Sequence, residues 1–142
     1  MKVYIAGPLF NEMERQRNKD ISELVESFGF ETYLPQRDGG IFAELLASGK
    51  NIIDVRKEIF KKDIESIKNC DVILCLLDGR VPDEGMCVEL GVAYTLNKKC
   101  IGYRTDSRVQ EAEGMNIILE GVLEKVLTTR EDLSQYLKNY GK

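Results

Sequence analysis

The chain has 142 residues, 43% hydrophobic and 31% charged, with 20 Lys and Arg against 24 Asp and Glu for a net charge of −4. That size and balance predict one domain over residues 1–142, exclude disordered and fibrous classes, and offer no electrostatic footprint for nucleic acid or an anionic membrane. Histidine is absent, which excludes Ser–His–Asp and Cys–His catalysis and imidazole zinc sites, and leaves acid–base chemistry to carboxylates, Tyr, Lys or Cys.

Residues 3–6 (VYIA) are a short β-rich run ended by Gly7-Pro8, which predicts a first strand entering a tight loop. The N-terminal stretch has one Lys and only a short apolar run, so neither a signal peptide nor a membrane span is expected. Over 11–28, Ile21, Leu24, Val25 and Phe28 fall at helical spacing, with Gly29 as a stop. FETYL at 30–34 predicts a second strand, and PQRDGG a loop. Ile52, Val55, Ile59, Ile64 and Ile67 mark a helix over 52–69. DVILCLL at 71–77 is apolar on both faces, as a central parallel strand covered by helices must be.

The loop DGRVPDEG leads into a helix over 84–97, followed by a fourth strand at 100–103 and a polar loop over 104–115. A fifth strand is expected at 122–127, and Thr128-x-x-Glu131 reads as a capping box opening a last helix to about 139. Alternating strands and helices predict an α/β fold, a doubly wound, mostly parallel five-stranded sheet with helices on both faces. Ligands bind such sheets beyond the carboxyl ends of the strands, so loops 7–11, 35–41, 78–85 and 104–116 are where a site is expected. Cys70, Cys75, Cys87 and Cys100 have no metal-ligand spacing and sit among apolar residues. They read as free thiols in a reducing cytoplasm, and no metal or cofactor is expected.

Glu89 is the oddity: it interrupts GMCVELGVAYTL, the most apolar helix of the chain. A carboxylate there is costly unless it reaches solvent, finds a partner or does chemistry. Asp83 and Glu84 open the same helix, where the dipole favours negative charge, and Asp83 after Pro82 also fits an ordinary N-cap. Gly85 leaves room for a ligand or relaxes the turn. Asp63 reads as exposed helix charge or as a third acid, and Tyr4 as core or as a hydroxyl at the sheet edge. Three carboxylates and a tyrosine at one edge, without metal ligands, suit glycosyl transfer through an oxocarbenium-like transition state.

VYIAGPLF at 3–10, LPQRDG at 34–39, KKDIESIKNCDVIL at 61–74, VPDEGMCVELGVAYTLNK at 81–98 and MNIIL at 115–119 together resemble the nucleoside 2-deoxyribosyltransferase family. The fourth segment carries most of the likeness, because PD-x-G-x-x-x-E-h-G-x-A (h, apolar) fixes the loop acid and the helix acid together. The resemblance implies a flavodoxin-like fold and no cofactor. It makes Glu89 the nucleophile of a covalent 2-deoxyribosyl-enzyme, Asp83 the residue assisting protonation of the departing base, Asp63 the holder of the sugar hydroxyls and Tyr4 the positioner of Glu89. Gly7, Phe10, Gly85 and Asn116 become substrate-binding residues, Phe10 against the base and Asn116 reaching the 5′-hydroxyl from a neighbouring subunit. The implied partners are a deoxynucleoside and a free nucleobase, in a homo-oligomer (dimer or hexamer). Two alternatives stand beside it. One is a 2′-deoxynucleoside 5′-monophosphate N-glycosidase, with Arg104, Ser107 and Arg108 as phosphate ligands. The other is a non-catalytic nucleotide-sensing module.

Overall fold

In the computed structural model, which describes residues 1–106, 108 and 114–140, the apolar run Val72–Leu76 is buried along its whole length. It is β3, the middle strand of a five-stranded sheet with β1 (Lys2–Ala6), β2 (Glu31–Tyr33), β4 (Lys99–Tyr103) and β5 (Lys125–Leu127). The order is β2-β1-β3-β4-β5 and every pairing is parallel, the flavodoxin-like arrangement. The chain leaves β1 toward β2 and returns to the other side of β1 with β3. The crevice beyond the carboxyl ends of β1 and β3 is therefore the switch point at which such sheets bind ligands.

Side chains alternate across the pleat, and two cores result. Val3, Ile5, Leu74 and Ile101 meet Ile21 and Val25 of α1 (Glu12–Ser27) and Leu133 and Leu137 of α6 (Arg130–Tyr140). Tyr4, Ile73 and Cys75 point the other way, toward Ile67 of α3 (Ile52–Lys68) and Leu90 and Ala93 of α4 (Glu84–Thr95). Each fully buried Leu or Ile contributes roughly 1.5–3 kcal/mol.

Helix α1 starts where Asn11 and Glu14 form a capping box and stops at Gly29, whose φ is +86°. Segment PQRDG, expected as an open loop, closes into a single π-helical turn, Pro35–Gly39. Two helices depart from the expectation: α2 (Phe42–Ala47) and α5 (Ile117–Val122). Neither buries a residue, so neither carries the apolar periodicity that reveals a helix in sequence. Because α5 takes residues up to Val122, the fifth strand is shorter than 122–127. The last capping box lies one residue later than expected, with the Thr129 hydroxyl accepting from the Asp132 N–H and the Asp132 carboxylate accepting from the Thr129 N–H. All four cysteines are free thiols. Among the described residues no helix is long and apolar enough to cross a membrane, and no cluster of three or more His, Cys, Asp or Glu is arranged to hold a metal.

Candidate active site

The loop after β1, the π-helical turn, α2, α3 and the start of α4 enclose a cleft of about 360 Å³ at the switch point. Its walls are mostly apolar (Leu9, Phe10, Phe42, Ile59, Phe60 and Met86), and its acids are Asp63, Asp83 and Glu89. An apolar cavity with a few convergent polar groups is the usual form of a small-molecule site.

Glu89 faces inward. Its Oε1 accepts a hydrogen bond from the Tyr4 hydroxyl at 2.6 Å, from a ring that is itself wholly buried. Burial pushes the Glu89 carboxyl up to about 8. The Tyr4 hydrogen bond opposes that rise, and the charges of Asp63 and Asp83 add to it. Burial also raises the Tyr4 hydroxyl, as does the carboxylate beside it.

Asp63 projects from α3 into the same cleft. Burial raises its carboxyl against the lowering effect of a hydrogen bond donated by Tyr33 at 3.0 Å. Asp83 does two things at once. Its Oδ2 accepts from the Met86 N–H at 2.8 Å, capping α4, and its side chain lines the cleft. Gly85 keeps that carboxylate unhindered, since a Cβ there would lie 3.1 Å from Asp83 Oδ2. Phe10, 75% exposed, stands at the rim. Of the expected site residues, Tyr4, Phe10, Asp63, Asp83, Gly85 and Glu89 thus converge at one edge.

Gly7 and Asn116 lie elsewhere. Gly7 lets β1 run close to β3 and α1: a Cβ there would meet Leu76 Cβ at 3.0 Å and Asn18 Oδ1 at 3.3 Å. Asn116 caps α5 by accepting from the N–H groups of Ile118 and Leu119, and it is outside the cleft walls of its own chain. Of the alternative phosphate ligands, Arg108 is paired with Asp106 and Arg104 donates to the Arg108 carbonyl. Ser107 lies outside the described residues.

Pro35 of the π-helical turn lines the cleft, whereas the turn's polar side chains are engaged elsewhere. Gln36 turns to Asn18 and Arg15, and Arg37 to Glu26 and Thr32. Sequence reading missed Tyr33, Phe42, Arg56 and Phe60. Among the described residues lining the cleft, Arg56 is the one Arg or Lys, and it sits over the Phe42 ring at 5.8 Å. Phe60 follows Ile59 on α3, lines the cleft and is 66% exposed.

Chemically, the cleft offers one carboxylate oxygen held by a buried hydroxyl, two further acids, one arginine and aromatic walls. A profile for nucleoside 2-deoxyribosyltransferases matches residues 3–125. No curated protein sequence matches the chain. Among solved structures, a conserved protein from Enterococcus faecalis V583 is 26% identical with a TM-score of 0.79, covering 99% of this chain and 98% of that one. A 2-deoxyribosyltransferase from Bacillus psychrosaccharolyticus shares the fold at 22% identity and a TM-score of 0.77, covering 96% and 92%. A CMP N-glycosidase from Clostridium botulinum does so at 20% and 0.59, covering all of both chains. Over a matched region that contains every residue of the acid cleft, the chain belongs to the nucleoside 2-deoxyribosyltransferase family.

Proposed function

We propose that this chain exchanges the base of a 2′-deoxyribonucleoside through a covalent 2-deoxyribosyl-Glu89 intermediate. The observation that carries the reading is the 2.6 Å Tyr4–Glu89 hydrogen bond in a cleft that also holds Asp63 and Asp83. With Oε1 held by Tyr4, Oε2 attacks C1′. The N-glycosidic bond breaks, its electron pair stays on the base nitrogen, and Asp83 assists protonation of that base. A second base then attacks C1′ and expels the Glu89 carboxylate, so two inversions give net retention. Asp63 holds the sugar hydroxyls, and Phe10, Phe42 and Phe60 pack against the base. The lack of a 2′-hydroxyl makes the oxocarbenium ion easier to form.

Hydrolysis of a 5′-monophosphate is the second reading, since the family's fold neighbours include a CMP N-glycosidase. Electrostatics favours the neutral nucleoside. Three carboxylates against Arg56 line the cleft, an unfavourable field for a phosphate dianion, and Arg108 is occupied by Asp106. Exposed apolar side chains beside Asn116 support its role at a subunit boundary. Ile117 and Ile118 beside it are 73% and 76% exposed, and Val88 on the neighbouring α4 is 62% exposed. Such an apolar band fits a homo-oligomer in which Asn116 completes a neighbour's cleft. Four free thiols fit a reducing cytoplasm, and base exchange of this kind would serve nucleotide salvage.

A chromatographic assay tests the reading with deoxyinosine plus adenine, thymidine plus adenine, and the deoxynucleoside or its 5′-monophosphate alone. Deoxyadenosine formed only when adenine is supplied is the expected result. Free base released mainly from the monophosphate would replace transfer by hydrolysis. Turnover in no tube would leave the sensing module.

A further inference from the structure

Two of the three cleft acids are held by tyrosines, and the two tyrosines hold each other. Tyr4 on β1 and Tyr33 on β2 are Cα partners in the parallel register, so their side chains leave the sheet on the same face. Their rings stack at 5.2 Å between centroids, with planes 22° apart. One hydroxyl goes to Glu89 at 2.6 Å and the other to Asp63 at 3.0 Å. Strand pairing thereby fixes the spacing of two carboxylates that arrive on different helices, α4 and α3. Asp63 is half-buried, and the nearby cation acting on it is Lys62 of its own helix, so the Tyr33 hydroxyl is what orients it.

The last residue of the π-helical turn closes over this bond. A Cβ on Gly39 would lie 2.9 Å from Tyr33 Oη and 3.1 Å from Asp63 Oδ1, closer than carbon and oxygen pack without displacement. The backbone of Gly39 has no positive φ that would itself demand glycine. Space for the Tyr33–Asp63 pair is the physical reason for glycine here.

We propose that Tyr33 is a positioning residue acting through Asp63, and that Gly39 is the gap that lets the π-helical turn close over their hydrogen bond. The inference rests on Asp63 holding substrate in the glycosyl transfer described above.

A double-mutant cycle over Tyr33→Phe and Asp63→Asn tests it. Tyr33→Phe should lower kcat/KM about 10-fold in the native background, the loss of one hydrogen bond to a charged group, and less than about 2-fold once Asp63→Asn is present. Losses that multiply would overturn the proposal. Gly39→Ala should match Tyr33→Phe alone, yet cost clearly less when combined with it, because the colliding hydroxyl is gone. An equal cost in both backgrounds would count against the gap.

A readout independent of turnover is the carboxyl titration of Asp63 by ¹³C NMR, identified by its loss in Asp63→Asn. Removing the hydroxyl that stabilises the charged form should move the midpoint to higher pH. An unmoved midpoint, even with a lowered Tm, would reduce Tyr33 to packing and overturn the proposal. If the native protein neither transfers nor hydrolyses, the functional reading fails. The titration then decides the positioning role alone.

Discussion

The two faces of the sheet treat their carboxylates in opposite ways. On the α1 side, Glu26 and Asp38 share Arg37. The Thr32 hydroxyl and then the Arg37 guanidinium hold Glu26 below the usual carboxylate range. Burial would raise Asp38, but Arg37 and the Leu34 N–H overrule it. On the α3/α4 side, Asp63 and Glu89 meet neutral tyrosine hydroxyls, burial wins, and both carboxyls rise. Carboxylates answered by a cation are settled charges that lock a turn to a helix. Carboxyls buried against neutral donors are left with their charge poorly compensated and free to be used by a substrate, and this is where function concentrates.

The hardest test of that contrast is Glu89→Gln. It preserves shape and the Tyr4 contact but removes the nucleophile, so transfer should fall at least ~10³-fold, the scale seen when a covalent nucleophile is lost. Stability should move the other way. A carboxyl at about 8 in the fold and near 4.5 when unfolded binds more protons in the native state between those values. Its contribution is full below 4.5 and is lost as pH rises through about 8. The variant lacks that loss, so thermal melting should put it several degrees above the native protein at pH 9 and level with it at pH 5. An equal Tm difference at both pH values would show that Glu89 is not held protonated.

Tyr4→Phe should act less severely and reveal itself in the pH profile. In the native enzyme kcat/KM should climb with pH through about 8 as Glu89 ionises. The Tyr4 hydrogen bond favours the charged form, so its removal should shift that limb to higher pH and cost about 10–100-fold at pH 7. A limb that stays in place would detach Tyr4 from the titration of Glu89.

How much of this was legible in the sequence follows from how local each signal is. VILCLL reads as a central strand because burial on both faces leaves no polar position in the run. Glu89 stands out because its neighbours Val88 and Leu90 make a carboxylate conspicuous. Tyr33 does not stand out: in FETYL it is one more β-former, and only its partnership with Tyr4 across the β1–β2 register gives it a task. Strand pairing is non-local, so nothing within a few residues of Tyr33 encodes it. Phe42 and Phe60 escaped for a related reason, since α2 buries nothing and Phe60 lies off the buried stripe of α3. Asn116 was found as a motif residue, but its own chain uses it to cap α5.

The gentlest test probes the settled side. Arg37 donates to Glu26, Asp38 and the Thr32 carbonyl, tying the π-helical turn to α1 and β2 from outside the cleft. Arg37→Ala should leave kcat within about 2-fold and cost about 1 kcal/mol at pH 7, a small figure because these ion pairs are partly exposed and screened. Its pH sense is opposite to that of Glu89. Depressed carboxyls stabilise the fold above their unfolded values and lose that contribution as pH falls. The penalty should therefore shrink as pH falls from 7 to 3, below the ordinary carboxylate range, because acid progressively neutralises the partners of Arg37. Chemical denaturation at the two pH values measures it. A penalty undiminished at pH 3 would make Arg37 a packing residue, whereas a large loss of kcat would carry the π-helical turn's polar side chains into the reaction and erase the division between the two faces.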